Sequence, residues 1–225
     1  MRVDMYWSHS YLPELVRPDG LVFDFGVNDG GFSRLIAPKC RKVIGFEPDP
    51  NWKGKLSLPN NVRLLPKALA ARVGTLKFHV NANLCSSLIH SEEDAQTVDV
   101  EAVTLTEALD EEPNGRIDLL KMDIEGEEIA VLLDAPAKLF NRVVQMTIEF
   151  HDFLDASSVP AIHAVIERMR GLGFYAVRFS SRSYGDLMFV NCNLAPLSAW
   201  QRAWLLVRFK YLRGFGRIAR RWIQQ

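Results

Sequence analysis

The sequence predicts an α/β protein: a mostly parallel sheet with helices on both faces, closed by a terminal antiparallel hairpin. Three observations lead there. Leu21–Phe25 (LVFDF), Lys42–Phe46 (KVIGF) and residues 117–124 (IDLLKMDI) are apolar runs without alternation, the pattern of strands buried on both faces. Helical stretches separate such runs, which is the order of a parallel sheet. Near the end, residues 174–179 and 187–190 follow each other with no helix between them and flank Tyr184, Gly185 and Asp186, so they read as a hairpin.

The elements follow in order. Leu21–Phe25 stops at Gly26, and a helix starts at about Phe32. Lys42–Phe46 ends at Glu47 and Pro48, and Val62–Leu65 reads as a third strand. Residues 73–80 (VGTLKFHV) and 97–103 (TVDVEAV) alternate in polarity, as half-exposed strands do. Thr104 and Glu107 have capping-box spacing for a helix reaching about Asp110. Residues 117–124 form a central strand, and Glu125 and Gly126 turn it into a helix. Residues 143–150 (VVQMTIEF) form the next strand. Ser157 or Ser158 is placed to cap a helix with Pro160 in its first turn, ending at residues 171–173.

The length of 225 residues suits one α/β domain, residues 1–196, with a basic amphipathic extension over 197–225. A hydrophobic fraction of 48% and a charged fraction of 24% are those of an ordinary folded domain. Cys40, Cys85 and Cys192 make neither a disulfide framework nor a zinc spacing, so a reducing cytoplasm is expected. Neither a signal peptide nor a membrane-spanning run is expected.

The most informative segment is residues 22–33, VFDFGVNDGGFS. Glycine at the end of a strand lets the backbone turn sharply and approach a ligand where a Cβ would collide. Asp24 stands two positions before Gly26, and Glu47 stands 21 positions after it at the tip of the next strand. A carboxylate at that tip is placed to accept the ribose hydroxyls of an adenosine. The spacing departs from the G-x-G-x-x-G of dinucleotide sites, since Asn28 occupies the middle glycine position. Asp24 and Asp29 flank the turn, and negative charge suits a sulfonium and an α-amino group better than a pyrophosphate. A tight turn without any ligand is the plain alternative.

VFDFGVNDGGFS, VIGFEPDP, RIDLLKMDIEGEE, VVQMTIEFH and DLMFVN follow one another as in the FkbM-type methyltransferases. The chain resembles that family over about residues 18–192, most specifically in KMDIEGEE. The resemblance implies a Rossmann-like class I methyltransferase sheet, S-adenosyl-L-methionine as cofactor, and methyl transfer to hydroxyl groups of small or lipid-linked molecules. It also implies that Asp24, Gly26, Asn28, Gly30 and Glu47 line the cofactor, with Ala68 near the adenine. Val27, Phe32, Ser33 and Asp123 are counted with them as cofactor-binding.

Removing an alcohol proton during methyl transfer calls for a positioned base. Candidates belong at the carboxyl ends of the central strands, where open α/β sheets bind ligands. Asp123 and Glu125 meet that condition on one strand, Glu149 and His151 on the next. His151 is the natural base, because an unperturbed imidazole titrates at about 6.5. Structural readings stand beside these: Glu125 capping a helix, Glu149 holding a loop, His151 buried and inert. A divalent metal on Asp123, Glu149 and His151 is a rival ranked below metal-free base catalysis. Lys121 is assigned no role. Ser86, Ser87 and His90 sit in a polar loop that either covers the acceptor or is plain surface.

The formal net charge is zero, yet beyond Leu197 there are seven basic residues and no acidic one. On a helix, Trp200, Trp204, Val207, Tyr211, Phe215, Ile218 and Trp222 share one face, with most of the arginines opposite. Three readings are open: docking onto the body or a sister subunit, attachment to an anionic membrane, or nucleic-acid binding. The acidic body counts against the last. The expected function is O-methylation of a glycan, lipid-linked sugar or similar metabolite. An RNA methyltransferase and a non-catalytic cofactor-binding scaffold are the alternatives.

Overall fold

The computed structural model describes residues 1–52, 54–80 and 96–207. Twelve strands are present among them: β1 (Asp4–Tyr6), β2 (His9–Tyr11), β3 (Leu21–Phe25), β4 (Lys42–Phe46), β5 (Val62–Leu65), β6 (Ala68–Leu69), β7 (Gly74–Val80), β8 (Gln96–Val103), β9 (Ile117–Met122), β10 (Gln145–Ile148), β11 (Phe174–Arg178) and β12 (Leu187–Asn191). The α-helices are α1 (Gly31–Ile36), α2 (Leu105–Leu109), α3 (Glu128–Asp134), α4 (Val159–Gly171) and α5 (Ala199–Val207).

Seven strands form one Rossmann-like sheet in the order β11-β12-β10-β9-β3-β4-β5. β3 pairs in parallel with β4 and β9, and β12 runs antiparallel between β10 and β11. The chain starts in the middle at β3, moves out to β5, then returns to build the other half from β9. Ligand crevices open at the carboxyl ends of strands where the order reverses, here between β3 and β9. All residues of β3, β9, β10 and β12 are buried, which explains why they lack alternation. The main core joins Phe23, Phe25, Phe46, Leu120 and Met122 of the sheet to Leu132, Phe140 and Ile162 from beyond it.

The side sheet β6-β8-β7 shows the expected half-burial, with Phe78, Val80, Val100 and Ala102 packed together. Thr104 and Glu107 form the capping box of α2 in both directions. The expectation for Ser86, Ser87 and His90 falls outside the described residues.

Four details differ from the sequence reading. Regular pairing ends at Met122 and Ile148, before residues 124 and 150. The backbone nevertheless stays tied, for Asp123 N–H donates to Phe25 O and Glu149 N–H to Met122 O, each at 3.0 Å. Ser158 stands at the N-cap of α4 as expected but accepts no capping bond; Asp155 caps the preceding 3-10 turn Ala156–Ser158 instead, accepting from Ser157 N–H at 2.9 Å. The first residues, for which the sequence reading gave no element, form a hairpin of β1 and β2 with Tyr6 opposite His9. That hairpin is held to the sheet by Asp186, which accepts from Ser10 N–H and Oγ, and by Gln145, which bonds both backbone groups of Leu12. Finally, α5 docks on the body through Leu205, which is fully buried against Val177, Phe179 and Met188 and lies outside the expected aromatic face, and through Trp204 of that face, which packs on the same cluster. Trp200 and Val207 remain exposed. No helix among the described residues is long and apolar enough to cross a membrane.

Candidate active site

The turn after β3 builds the first wall. Gly26 has φ +81°, and a Cβ there would lie 1.8 Å from Asp123 O, so only glycine lets this turn touch the exit of β9. Gly26 and Val27 N–H donate to Phe46 O, carrying the sheet's pairing into the turn. Asn28, also left-handed at φ +50°, donates its N–H to Glu47 Oε2 at 2.7 Å. Glu47 Oε1 accepts from Asp49 N–H at 2.9 Å. Burial pushes the Glu47 carboxyl up to about 7, against the opposing pull of those two N–H bonds.

These residues line a cavity of ≈ 280 Å³. Gly26, Asn28, Glu47, Ala68 and Asp123 of the expected cofactor residues reach it, joined by Trp52, Phe78 and Glu125. The others lie behind it. Asp24 is buried, accepts from Ser33 Oγ at 2.6 Å and pairs with Lys121 Nζ at 3.3 Å. Val27 fills the space over Gly45, and Phe32 packs its edge on Tyr6, His9 and Tyr11. Gly30 has φ +83° and precedes α1. Asp24, Val27, Phe32 and Ser33 therefore support the turn, because their side chains are spent on packing and on each other.

Lys121, assigned no role from sequence, is central. Its buried ammonium lies 3.3 Å from Asp24 Oδ1 and 3.7 Å from Asp123 Oδ2, and it donates to Gly26 O. One cation thus ties β3, its turn and β9 together.

The second wall is a cluster of ionisable groups at the ends of β9 and β10. His9 Nε2 lies 3.3 Å from Asp123 Oδ2 and 3.8 Å from Glu149 Oε2. Ser8 Oγ donates to Glu149. His151 Nε2 lies 3.2 Å from Glu125 and 3.7 Å from Asp123, while Nδ1 lies 3.3 Å from Glu128. Burial opposes charge on His151, yet Glu125 and Glu128 outweigh it and push the imidazole up to about 11. Those carboxylates favour the protonated imidazole, which has no free lone pair for a hydroxyl proton, and so they stand against the expected role of His151 as base. Burial would raise Asp123, but the Lys121 cation and the His9 hydrogen bond hold it well below the usual carboxylate range. Glu149 goes the other way, raised by burial and by the Asp123 charge.

Among the described residues, two sets bring donor atoms within 4.8 Å of one another: His9, Asp123 and Glu149, and Asp123, Glu125 and His151. The metal set expected from sequence is thus divided, with His9 beside Glu149 and His151 beside Glu125. His9 and Ser8 escaped the sequence reading because no spacing joins them to residues 114 and 141 positions away. The only hint was a histidine among aromatics in YWSHSY.

Residues 24–175 match the family model described as the methyltransferase FkbM domain. No curated protein matches the chain. Among solved structures, it is similar to an rRNA methylase from Streptococcus thermophilus, at 16% identity and a TM-score of 0.47, over 80% of this chain and 90% of that one. It is also similar to precorrin-6y C5,15-methyltransferase from Geobacter metallireducens GS-15, at 10% identity and a TM-score of 0.41, over 79% and 84%. Similarities of that size say nothing about substrate.

Proposed function

The chain belongs to the FkbM methyltransferase family, and on that premise we propose that it transfers a methyl group from S-adenosylmethionine to a hydroxyl oxygen of a glycan or similar metabolite. The observation that carries this is the position of Asp123. It lines the cavity beside Glu47 and also stands, through His9, next to the raised carboxyl of Glu149.

The residues present fit the cofactor. Phe46, Trp52, Ala68 and Phe78 offer an apolar slot for a base, and Glu47 faces the same cavity with a carboxylate suited to two ribose hydroxyls. Asp123 and Glu125 add negative charge, which favours a cation over a pyrophosphate. When bound, S-adenosylmethionine supplies an electrophilic methyl group. The chain must then align the acceptor oxygen, exclude water and take its proton. Glu149 is the group for the proton, since a carboxylate raised by burial and by the Asp123 charge is a better base than an ordinary one. His9 positions it by bridging to Asp123. His151, held cationic by Glu125 and Glu128, keeps those carboxylates in place.

The test is a tritiated-methyl assay on glycan, lipid and RNA fractions, beside calorimetry with S-adenosylhomocysteine. Label in the glycan fraction is expected. Label in RNA would replace this reading with the nucleic-acid one, and cofactor binding without any label would favour a scaffold.

We further propose that residues 198–225 attach the protein to an anionic membrane. Trp200, Leu206 and Val207 stay exposed where α5 runs into a segment rich in arginine. Vesicle co-sedimentation at low and high salt checks it.

A further inference from the structure

Trp7 is out of place by every local criterion. It and Ser8 form the two-residue connection of the β1–β2 hairpin, since Tyr6 pairs with His9. Trp7 has φ +51°, a conformation that such turns normally give to glycine, asparagine or aspartate. A bulky residue held there is strained. Burial does not repay the strain, because Trp7 is 82% exposed.

Its surroundings supply a reason. Trp7 borders a cleft of ≈ 420 Å³ shared with Ser8, Glu149, Phe153, Ser180 and Ser183. Phe153, 56% exposed, is a second aromatic at this cleft, and its ring rests on His151 at 5.4 Å between centroids. Ser180 Oγ and Ser183 Oγ lie 3.0 Å apart and present hydroxyls to the same space. Among the described residues lining the cleft there is no lysine, arginine or histidine. Its charged members are Glu149 and Asp186, and Asp186 is engaged by Ser10.

That combination selects a ligand chemistry. Two carboxylates and no cation repel phosphate and carboxylate groups. Exposed aromatic faces, which carry negative charge density, attract the weakly positive C–H face of a saturated ring. Serine hydroxyls match neighbouring ring hydroxyls. We propose that Trp7 and Phe153 are the stacking platform for a neutral, polyhydroxylated ring, a sugar residue without a charged group. Its reacting hydroxyl is turned towards Glu149. This rests on the methyl-transfer reading above. In the step it implies, the acceptor oxygen forms a bond to the donated methyl carbon and the carbon–sulfur bond breaks, its electron pair staying on sulfur. The hydroxyl proton passes to the Glu149 carboxylate.

Trp7→Gly provides a clean test, because glycine is at home at positive φ. The full chain, saturated with S-adenosylhomocysteine, is titrated with the neutral methyl glycosides of glucose, galactose, mannose and fucose. Glucose 6-phosphate and glucuronate serve as anionic controls. Saturable binding of at least one neutral glycoside is expected, with weaker binding of both anions. Trp7→Gly should weaken the glycoside by about tenfold, with Trp7→Phe between the two. The melting temperature of Trp7→Gly should equal or exceed the wild-type value, and S-adenosylhomocysteine affinity should stay within about twofold. Undiminished glycoside binding by Trp7→Gly, tighter binding of an anionic sugar, or no glycoside binding with S-adenosylhomocysteine bound would each overturn the inference. Failure of S-adenosylhomocysteine itself to bind would sink the donor reading instead. The same Trp7 comparison on the ligand-free protein would then decide this one.

Discussion

The two cavities are built in contrasting ways. The one beside Glu47 comes largely from successive βα units, with Gly26, Asn28 and Glu47 within about 20 residues of one another. Their geometry follows from local chemistry: a left-handed turn at a strand exit, and a carboxylate at the neighbouring tip receiving that turn's N–H. The cleft beside Glu149 draws on the first ten residues, the exit of β10 and the β11–β12 connection. Its contacts join positions 141 and 176 apart. A binding wall made within one βαβ unit is legible in the chain; a wall made where three distant segments meet is a product of folding.

The sharpest break between the two sides should come from Glu149→Gln. Loss of the base is expected to lower kcat by about 10²–10⁴. S-adenosylhomocysteine affinity should hardly change, since Glu149 lies outside the first cavity. Wild-type turnover in this variant would place the base elsewhere.

Lys121→Met probes the seam shared by the two halves. It strands the Asp24 and Asp123 carboxylates without their cation, and breaking a buried pair costs about 3–5 kcal/mol. Denaturant unfolding should register a loss of that size. A change below 1 kcal/mol would mean that Lys121 does not tie the seam.

Glu47→Gln sharpens the donor side alone. S-adenosylhomocysteine binding should weaken by about 1.5–3 kcal/mol, the worth of charge-assisted hydrogen bonds. The wild-type carboxyl is pushed up to about 7, so affinity should rise between pH 6 and pH 8 as the accepting, ionised form appears. The variant should lose that rise. The same shift has a stability consequence of opposite sense. Between pH 4.5 and 7 the ligand-free folded state keeps a proton that the unfolded chain has released, so Glu47 lowers stability as pH climbs through this window. A flat affinity profile in the wild type would count against Glu47 as a ribose acceptor.

Removing residues 208–225 should have the smallest effect on the body, within about 0.5 kcal/mol, while releasing the protein from anionic vesicles. Truncation after Leu197 also removes the buried Leu205 and should cost about 2–5 kcal/mol. Equal losses from both truncations would show that the tail is structural.

Local sequence rules were enough for the order of elements, the doubly covered strands and the tight turn after β3. These rest on short-range rules: continuous apolar runs for strands buried on both faces, Thr104 with Glu107 for a cap, Gly26 for a reversal that excludes a Cβ. Glu47 belongs here too, because a strand tip follows from the strand. What the ionisable groups do depends on the folded arrangement. Asp24 points down to Lys121 and Ser33 although its spacing suits the cofactor, and Lys121 became the central cation although it stood alone in the sequence. His151 is drawn towards its protonated form because Glu128, in the next helix, lies by its second nitrogen as Glu125 lies by the first. Protonation is set by charges and water exclusion within about 4 Å, summed over every neighbour. Spacing along one chain does not encode that sum, because His9, Asp123 and Glu149 become neighbours only when the hairpin closes on the finished sheet.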